Sequence, residues 1–422
     1  MPQGQAVVAV DLGTSKVATV VAEALADGRT SILGVGLCPA RGMSKGVVVD
    51  LDEAAAAIAR SVERAERNSG YRIISAYVGI SGAHLRSTNN RGVVAVPRDQ
   101  QDVTAREVAQ VLEAARTVPL APHDEVLQVL PRTYVLDGQE GVADPVGMAG
   151  RRLEVEAHVI SGSATALRNV VRGVERAGIE IDELIPEPLA AAEATLTAAE
   201  REMGVALVDI GAGTTDLAVF IEDAVWHTAV LPLGGNHLTN DLSIVLQIPF
   251  ESAEQVKVTY GRAAPQPGPV DEEFDRLEVE GFEATPRQIS QRTVHEVLEA
   301  RLEQILQLVG KELRDSGYDG LLPGGVVLTG GTALLPEIAE LARGVLGLRT
   351  RVGGPRKLAG LGESLAGPAF ATGVGLVQWG LTRQEAARLA RRTAEGQRAG
   401  RQGRQPVGGG NPLVRWFREL LP

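Results

Sequence analysis

The sequence predicts an α/β protein of two lobes, and the main support for this is a near-repeat. Residues 10–15 read VDLGTS and residues 208–216 read VDIGAGTTD, about half the chain apart. Each stretch follows an apolar run of β type and ends in glycine and hydroxyl residues, which is typical of a strand–turn–strand hairpin. A second observation is the length, because 422 residues exceed what one hydrophobic core usually serves. We therefore expect one hairpin in each of two lobes.

The tips of the two hairpins have the composition of phosphate-binding loops. Glycine lets the backbone approach an anion closely, while turn N–H groups and hydroxyls donate hydrogen bonds to it. Asp11 and Asp209 stand at the ends of the two first strands, where a carboxylate can hold a hydrated Mg²⁺. One such loop is weak support for a site. Two loops that face each other would hold a triphosphate from both sides, so the pair predicts a nucleotide site.

Composition and charge exclude several classes of protein. A net charge of -11 argues against nucleic acid as the main partner, because phosphate binding needs a basic face. The lone cysteine, Cys38, excludes a disulfide framework. The chain enters a β-run directly and has no apolar run near ~20 residues, so we expect neither a secretion signal nor a membrane-spanning helix. The histidines show no metal-ligand spacing.

The first lobe is predicted to begin with the Asp11 hairpin. We expect a third strand near 32–36, a helix at 51–68 with Asp50 as its N-cap, and a strand at 73–80. Residues from about 84 to 160 differ, since they place one helix candidate between β-rich pieces. This stretch predicts a small inserted α+β subdomain, after which the lobe resumes.

The second lobe is predicted to start with the Asp209 hairpin. The further elements expected in it are strands over 219–230, helices at 235–246, 252–260 and 291–316, and a strand at 326–329 that ends in Gly330 and Gly331. An apolar helix at 368–379 follows.

The C-terminal segment changes character twice. Residues 383–410 are rich in Arg, Gly, Ala and Gln and predict a flexible linker. An apolar stripe with helical spacing follows at Leu413, Trp416, Phe417, Leu420 and Leu421. This predicts an amphipathic helix that lies on an anionic membrane surface. The alternative is a helix docked on the protein's own core, for which a long polar linker has no use.

In their order along the chain, these motifs resemble the five ATPase motifs of the actin, Hsp70 and sugar-kinase superfamily. Within that superfamily the chain is similar to the FtsA family of bacterial cell-division proteins along nearly its whole length. The motifs that carry the resemblance are 11–16, 38–43, 187–191, 208–216, 236–241, 328–331, 368–373 and the C-terminal helix.

The resemblance implies an actin-like two-lobed ATPase fold with the inserted subdomain 1C. The boundaries that it implies are 1–83 and 161–196 for subdomain 1A (closed by a helix at 366–382), 84–160 for 1C, 197–243 and 310–365 for 2A, 244–309 for 2B, 383–410 for the linker and 411–422 for the membrane-targeting helix.

The resemblance also assigns the site residues. It implies ATP and Mg²⁺ as cofactors, with Asp11 and Asp209 holding the metal through water. The implied phosphate contacts are Gly13, Thr14, Ser15, Lys16, Gly211, Gly213, Thr214 and Thr215. Glu254 and Lys257 match the ribose and adenine contacts of the family. The alternative is that the two residues form an exposed ion pair. Gly330 and Gly331 would lie against the adenine.

Glu187 falls where the superfamily places the carboxylate that orders the attacking water. The alternative is a capping role at the helix that begins beside Pro188. The sequence leaves both roles open, and we expect ATP hydrolysis to be slow at most.

The implied function is that of an ATP-binding cell-division protein that polymerises on the inner face of the cytoplasmic membrane at the division site. It would tether FtsZ there, assemble into protofilaments through 1C, and recruit other division proteins. The sequence itself offers Arg287 and Arg301 in the second lobe as the residues that would pair with an acidic FtsZ peptide. Three alternatives stay open: an untethered actin relative of the pilus-assembly type, a small-molecule kinase, and an Hsp70-type chaperone. The chaperone would need a substrate domain, for which only about 40 residues remain.

Overall fold

The computed structural model describes residues 6–97, 102–264, 276–282 and 287–402. The chain separates into two compact units, Met1–Trp379 and Gly380–Pro422. The first unit holds every sheet found in the described ranges and all of the candidate site. In the second unit the described residues are helical.

The elements are numbered in chain order. The strands are β1 (Val7–Leu12), β2 (Lys16–Ala24), β3 (Thr30–Pro39), β4 (Met43–Ser44), β5 (Val47–Val48), β6 (Ser75–Ile80), β7 (Arg86–Ala95), β8 (Asp124–Leu136), β9 (Gln139–Val142), β10 (Arg152–Ser163), β11 (Glu180–Pro186), β12 (Val205–Ile210), β13 (Thr215–Ile221), β14 (Ala224–Leu231), β15 (Arg276–Val279), β16 (Arg287–Ser290), β17 (Val326–Thr329), β18 (Thr350–Val352) and β19 (Leu358–Gly360). The α-helices are α1 (Leu51–Ser69), α2 (Ala105–Arg116), α3 (Ala164–Arg176), α4 (Glu187–Thr195), α5 (Ala198–Met203), α6 (Gly235–Leu246), α7 (Phe250–Tyr260), α8 (Gln291–Ser316), α9 (Ile338–Leu346) and α10 (Ala371–Gln402).

The first sheet has the strand order β11-β6-β1-β2-β3-β19. Its centre is the predicted first hairpin, in which Val10 pairs with Thr19 in the antiparallel β1–β2 ladder. Helices α1 and α3 pack on this sheet through a shared apolar cluster that includes Ile58 and Leu167. Asp50 is the N-cap of α1, as predicted, and accepts hydrogen bonds from two backbone N–H groups of the first turn.

The second sheet has the order β14-β13-β12-β17-β18. The predicted second hairpin forms here, and Val208 pairs with Leu217 between β12 and β13. Every residue of these two strands is buried. Helices pack on them and share with them a large apolar cluster that includes Leu238 of α6 and Leu302 of α8. A strand buried on both faces reads as a continuous apolar run, so a charge within it stands out.

A third sheet, of order β7-β10-β8-β9, forms the inserted region. It follows β6 and returns to the first sheet through α3, and α2 covers one of its faces. Its apolar cluster, built around Leu153 and Val155, is separate from those of the other two sheets. The α+β character predicted for residues 84–160 is therefore observed.

The structure contradicts the sequence-based prediction for the start of the linker. Helix α10 continues to Gln402 instead of ending near Trp379. Residues 383–402 are rich in Ala, Arg, Gln and Glu, which have high intrinsic helix propensity. The composition argued against a packed core in this segment but did not report whether its backbone is helical. The predicted amphipathic stripe at 413–421 lies outside the described residues.

None of the helices in the described ranges combines the length and the hydropathy that a membrane crossing requires.

Candidate functional site

A cavity of about 270 Å³ lies between the first and second sheets. The turn of the first hairpin, Gly13–Ser15, and that of the second, Gly211–Thr214, form two of its walls; we call them the first and second tip loops. The structure thus brings both predicted loops to one cavity. The other predicted residues that line it are Asp11, Lys16, Glu187, Asp209, Glu254, Lys257, Gly330 and Gly331. Thr215, the remaining predicted phosphate contact, is fully buried at the start of β13.

The two tip loops approach each other closely. A Cβ atom on Gly213 would lie 2.5 Å from Oγ1 of Thr14, so only glycine fits at that place in the second loop. Thr14 in turn accepts a hydrogen bond of 3.3 Å from the backbone N–H of Gly46. The backbone N–H of Gly211 closes its own loop by donating to the carbonyl of Thr214 at 2.9 Å. The loops are therefore positioned as a pair.

Four carboxylates share the floor of the cavity. Burial raises the pKa of Asp11 to about 6 and, together with the charge of Asp216, that of Asp209 to about 7. The pKa of Asp216 is also raised by burial, to about 6, and that of Glu187 is raised well above its usual value by burial and by the other three charges. Buried like charges repel one another, and a bound cation would relieve this repulsion.

The arrangement suits a hydrated cation better than a bare one. Across the described part of the chain, no three His, Cys, Asp or Glu side chains converge to hold a metal ion directly. Mg²⁺ commonly keeps several waters and takes only one or two carboxylates from the protein. Asp11 and Asp209 fit that role.

Two hydroxyl groups hold the buried carboxylates in place. Thr372, at the start of α10, donates to Oδ2 of Asp209 at 2.9 Å, and Ser81 donates to Oδ1 of Asp216 at 2.6 Å. Sequence reasoning did not assign Asp216, Ser81 or Thr372 to the site. The available signal was the charge of Asp216 within the apolar run of β13.

Lys16 is the first residue of β2, and its side chain points toward the residues that precede the N-terminus of α10. Its Nζ atom donates to the carbonyl of Ala369 at 2.6 Å and lies 3.9 Å from the centroid of the Phe370 ring. Burial lowers the pKa of Lys16, while the charges of Asp11 and Asp209 oppose that shift. The ammonium is thus a partly desolvated cation beside the cavity, suited to an anionic ligand.

Glu254 and Lys257 lie on one face of α7, and the structure joins them. Nζ of Lys257 donates to Oε2 of Glu254 at 2.6 Å, to the hydroxyl of Thr239 at 2.7 Å and to the carbonyl of Gly235 at 3.1 Å. All three N–H groups of the ammonium are therefore used. The pair is half-buried at the cavity, unlike an exposed ion pair, and Oε1 of Glu254 is the oxygen left to meet a ligand hydroxyl.

The two glycines after β17 differ in what surrounds them. Gly330 has φ +87°, and a Cβ there would lie 2.3 Å from Oδ1 of Asp209, so protein atoms alone require glycine at this position. At Gly331 a Cβ would meet nothing closer than Cβ of Ala369, at 4.0 Å. The space beside Gly331 thus opens into the cavity, as a flat ligand requires.

Glu187 is the first residue of α4, and Pro186 occupies the N-cap. The capping role that the sequence left open therefore does not hold at the N-cap position. The side chain lines the cavity, and a Cβ on Gly79 would lie 3.3 Å from its Cγ atom. Its position is compatible with contact to a bound water.

Arg287 and Arg301 lie away from this cavity. Arg301, on α8, pairs with Asp241 on α6 through two hydrogen bonds, and this pairing raises its pKa. Arg287 donates to the carbonyl and the Oε1 atom of Gln247, at 3.4 Å and 3.2 Å. Both arginines thus have partners within the protein, and neither is a free cation.

An apolar groove of about 370 Å³ adjoins Arg301. Ile244 and Val245 of α6 line it with Val297 of α8, and residues Ile244 and Val245 are 65% and 52% exposed. Exposed aliphatic groups beside an arginine suit a peptide that carries both apolar and acidic residues.

Comparison with known proteins identifies the family. The cell division protein FtsA of Pseudomonas aeruginosa is 42% identical over 381 residues, which cover 90% of this chain and 90% of that protein. The chain belongs to the FtsA family. A model of that family, described as cell division protein FtsA, matches residues 206–375, and a model of the SHS2 domain inserted in FtsA matches residues 82–161.

Solved structures show the actin-like fold of this FtsA family member. The PilM–PilN type IV pilus biogenesis complex aligns with a TM-score of 0.63 at 19% identity, covering 89% of this chain and 98% of that one. MreB5 of Spiroplasma citri bound to AMPPNP aligns with a TM-score of 0.51 at 16% identity, covering 92% and 99%. The predicted actin-like fold with an inserted subdomain is confirmed. The predicted place in cell division is confirmed by the family.

Proposed function

We propose that this member of the FtsA family binds ATP with Mg²⁺ in the cavity between the two tip loops. The observation that carries the proposal is the convergence of both tip loops on four buried carboxylates in one cavity. A relative of the same fold, MreB5, was solved with AMPPNP, which supports a nucleotide as the ligand.

Different residues of the cavity contact the phosphates and the metal ion. Gly13, Thr14 and Ser15 face the phosphates from the first sheet, and Gly211, Gly213 and Thr214 face them from the second, with Thr215 behind the second loop. Asp11 and Asp209 hold the hydrated Mg²⁺, which shields the charge of the triphosphate. Lys16 exchanges its bond to the Ala369 carbonyl for a phosphate oxygen.

The base and ribose occupy the opposite end of the cavity. Glu254 accepts from a ribose hydroxyl through its free oxygen, and Lys257 positions that carboxylate. The adenine lies against the open side of Gly331. Glu187 orients a water near the Mg²⁺, and hydrolysis is slow, so the nucleotide serves mainly to hold the two lobes together.

We further propose that the tubulin-like division protein FtsZ binds at the groove beside Arg301. A C-terminal peptide with apolar and acidic residues would place its apolar side chains on Ile244 and Val245. Its carboxylates would approach Arg301 and Arg287 by bidentate pairing. Because each arginine already has a partner within the protein, the peptide has to compete with Asp241 and Gln247.

Membrane attachment is proposed for the segment 411–422 from its sequence. Half-burying its apolar stripe of Leu413, Trp416, Phe417, Leu420 and Leu421 in the interface gives on the order of 5 kcal/mol before ordering costs. That is weak for one molecule, but a filament that carries many such tails gains through effective concentration. We infer that attachment and polymerisation reinforce each other on anionic lipid, at the cytoplasmic face of the membrane.

We propose that self-association uses the inserted subdomain 1C (residues 84–160, which we call the insert) as one end of the contact between neighbouring molecules in a filament. The insert is also proposed to bind later division proteins. Deletion of the insert should abolish filaments, while the two tip loops and the cavity carboxylates that remain still bind nucleotide. Filaments that survive the deletion would count against this placement.

One reconstitution tests the proposed function. The protein is mixed with Mg²⁺ and ATP on a monolayer of anionic lipid, with and without FtsZ, and imaged by electron microscopy. Filaments that form only with nucleotide, and that bring FtsZ to the lipid, support the proposal. A protein that stays in solution, or that recruits FtsZ equally well without nucleotide, contradicts it.

A further inference from the structure

The inserted sheet is attached by the chain to the first sheet but packs against the second. It leaves β6 and returns through α3 and β11, which are elements of the first sheet. Strands β7, β8 and β10 nevertheless contact β14, the edge strand of the second sheet. The insert therefore spans the two sheets that enclose the cavity.

A hydrogen-bond network centred on a buried histidine forms this contact. His158 of β10 is 1% exposed, and its Nδ1 and Nε2 atoms lie 2.8 Å from Oδ1 of Asn89 and 3.0 Å from Oγ1 of Thr228. The hydroxyl of Ser87 donates to the carbonyl of Thr228 at 2.8 Å. Ser87 of β7 and His158 of β10 thus both bond to Thr228 of β14.

The partners of Asn89 fix the directions of the two bonds that His158 makes. Its amide nitrogen donates to the carbonyl of Trp226 at 3.2 Å and to the hydroxyl of Tyr318 at 3.1 Å, so its Oδ1 atom accepts from His158. His158 then carries its proton on Nδ1, and its Nε2 atom accepts from the hydroxyl of Thr228. A network in which each donor has one acceptor holds its members in a single arrangement.

Packing reinforces the network on both sides. The guanidinium of Arg132, from β8, stacks on the Trp226 ring with its carbon 3.6 Å from the ring centroid. Trp226 in turn meets Tyr318 edge to face, with ring centroids 5.3 Å apart. Cation–π and aromatic pairs of this kind add to what burial alone provides.

A second contact lies where the insert leaves the first sheet. Ser81, one residue beyond β6, bonds to Asp216 on the floor of the cavity, and Asp216 pairs with Val230 of β14 across the ladder. The strand that receives the insert is therefore the direct neighbour of the strand that carries the second tip loop. If the two sheets move apart, both contacts must either break or stay intact while the insert moves with the second sheet.

We propose that the insert is a strut across the cavity, whose docking on β14 limits the separation of the two sheets and thereby sets the rate at which nucleotide leaves. This inference rests on the proposed nucleotide site for its kinetic consequence. Its mechanical part, the restraint on the two sheets, does not depend on any ligand.

The test uses the double variant Ser87→Ala with Thr228→Val. It removes both hydrogen bonds between Ser87 and the Thr228 backbone and the bond from the Thr228 hydroxyl to His158, and it changes side-chain volume very little. Thr88→Val is the matched control, since Thr88 is exposed on the other face of β7. Release of a fluorescent ATP analogue in the presence of Mg²⁺ is followed by stopped flow. We expect release roughly tenfold faster in the double variant, the factor that corresponds to about 1.4 kcal/mol, and unchanged in the control.

A ligand-free measurement separates this inference from the proposed function. Spin labels at the exposed positions 67 on α1 and 296 on α8 report the distance between the lobes by pulsed electron resonance. The double variant should give a broader and longer distance distribution than the wild type and the control. Unchanged distances overturn the strut, whether or not nucleotide binds. A wild type that binds no nucleotide overturns the proposed function instead, and changed distances would still support the strut.

Discussion

The hydroxyl of Ser81 donates a 2.6 Å hydrogen bond to Oδ1 of Asp216, although the two residues are 135 positions apart in the chain. Ser81 follows the last residue of β6 in the first sheet, and Asp216 lies in β13 of the second. Ser81 also lies 3.3 Å from the hydroxyl of Thr214 in the second tip loop. The bond thus joins the two sheets at the floor of the cavity and lowers the pKa of a carboxylate that burial raises.

Ser81→Ala should weaken the binding of Mg²⁺ and ATP by about tenfold, because a hydrogen bond to a charged group is worth about 1.5–3 kcal/mol and part of that is recovered by water. Isothermal titration calorimetry measures the effect. Ser44→Ala, at an exposed serine of β4, is the control. Equal affinities for the two variants would show that Ser81 has no part in the site.

Asp209→Asn should have opposite effects on binding and on stability. The neutral amide holds a hydrated Mg²⁺ much more weakly than a carboxylate does, so we expect nucleotide affinity to fall by about 2–4 kcal/mol. The ligand-free protein should unfold at a higher temperature, because the carboxylate whose pKa is raised to about 7 is a buried charge that the variant removes. Asp182→Asn, at an exposed aspartate of β11, should change neither quantity. Loss of both binding and stability would instead indicate a structural role.

The buried imidazole of His158 should make the protein less stable in acid. Burial lowers its pKa from 6.5 to about 3, and His227 and Arg132 nearby favour the neutral form further. His227 is itself hydrogen-bonded to Glu312 of α8 at 3.0 Å. Between pH 6.5 and about 3 the unfolded chain binds a proton that the folded protein does not, so stability is complete above 6.5 and falls as the pH drops.

Urea titrations at pH 7.5 and 5.0 should therefore differ by roughly 2 kcal/mol through this residue. His158→Gln should show a smaller difference by about that amount, because glutamine does not titrate. The cavity carboxylates contribute with the opposite sign, but they are common to both proteins and cancel in the comparison. A pH dependence that is the same in the two proteins would contradict the neutral state assigned to His158.

Arg301→Glu and Arg287→Glu should each reduce co-sedimentation with an FtsZ C-terminal peptide, and Arg67→Glu on α1 serves as the charge-matched control. Because Arg301 pairs with Asp241, the loss in the first variant has two possible origins. The exchanged pair Arg301→Asp with Asp241→Arg restores the bridge between α6 and α8 but moves the positive charge. Continued failure to bind points to the position of the guanidinium, whereas restored binding points to the packing of the two helices.

Trp416→Glu should release the protein from anionic liposomes, because it places a charge in the middle of the apolar stripe of the tail. Flotation assays measure attachment, and calorimetry with Mg²⁺ and ATP should give the wild-type affinity. Arg418→Glu changes the charge without entering the stripe and should weaken attachment only at low salt. A Trp416→Glu variant that still floats with lipid would exclude the tail as the anchor.

The sequence predicted the fold well where local pattern and tertiary environment agree. The Asp11 and Asp209 hairpins, the N-cap at Asp50 and the long helix α8 all follow from periodicity, turn residues and caps. The helix after residue 383 did not, because composition reports whether a segment can bury apolar surface and not whether its backbone is helical.

The site was predicted where residues adjoin a recognisable turn and missed where contacts are distant in sequence. Ser81 and Thr372 are ordinary hydroxyl residues in their own segments, and only the pairing of separate strands and helices brings them to Asp216 and Asp209. The partner of Arg301 was missed for the same reason, since Asp241 lies 60 residues away on another helix.

The contact between Gly213 and Thr14 ties the two halves of the near-repeat to each other. A methyl group at position 213 would overlap the hydroxyl of Thr14. A larger side chain at either of these two positions therefore requires a smaller one at the other. The two loops look like independent copies of one motif, yet they fit together as a matched pair of parts. A chimera whose second hairpin brings a larger residue to position 213 should therefore fail at this junction unless the residue at position 14 is made smaller as well.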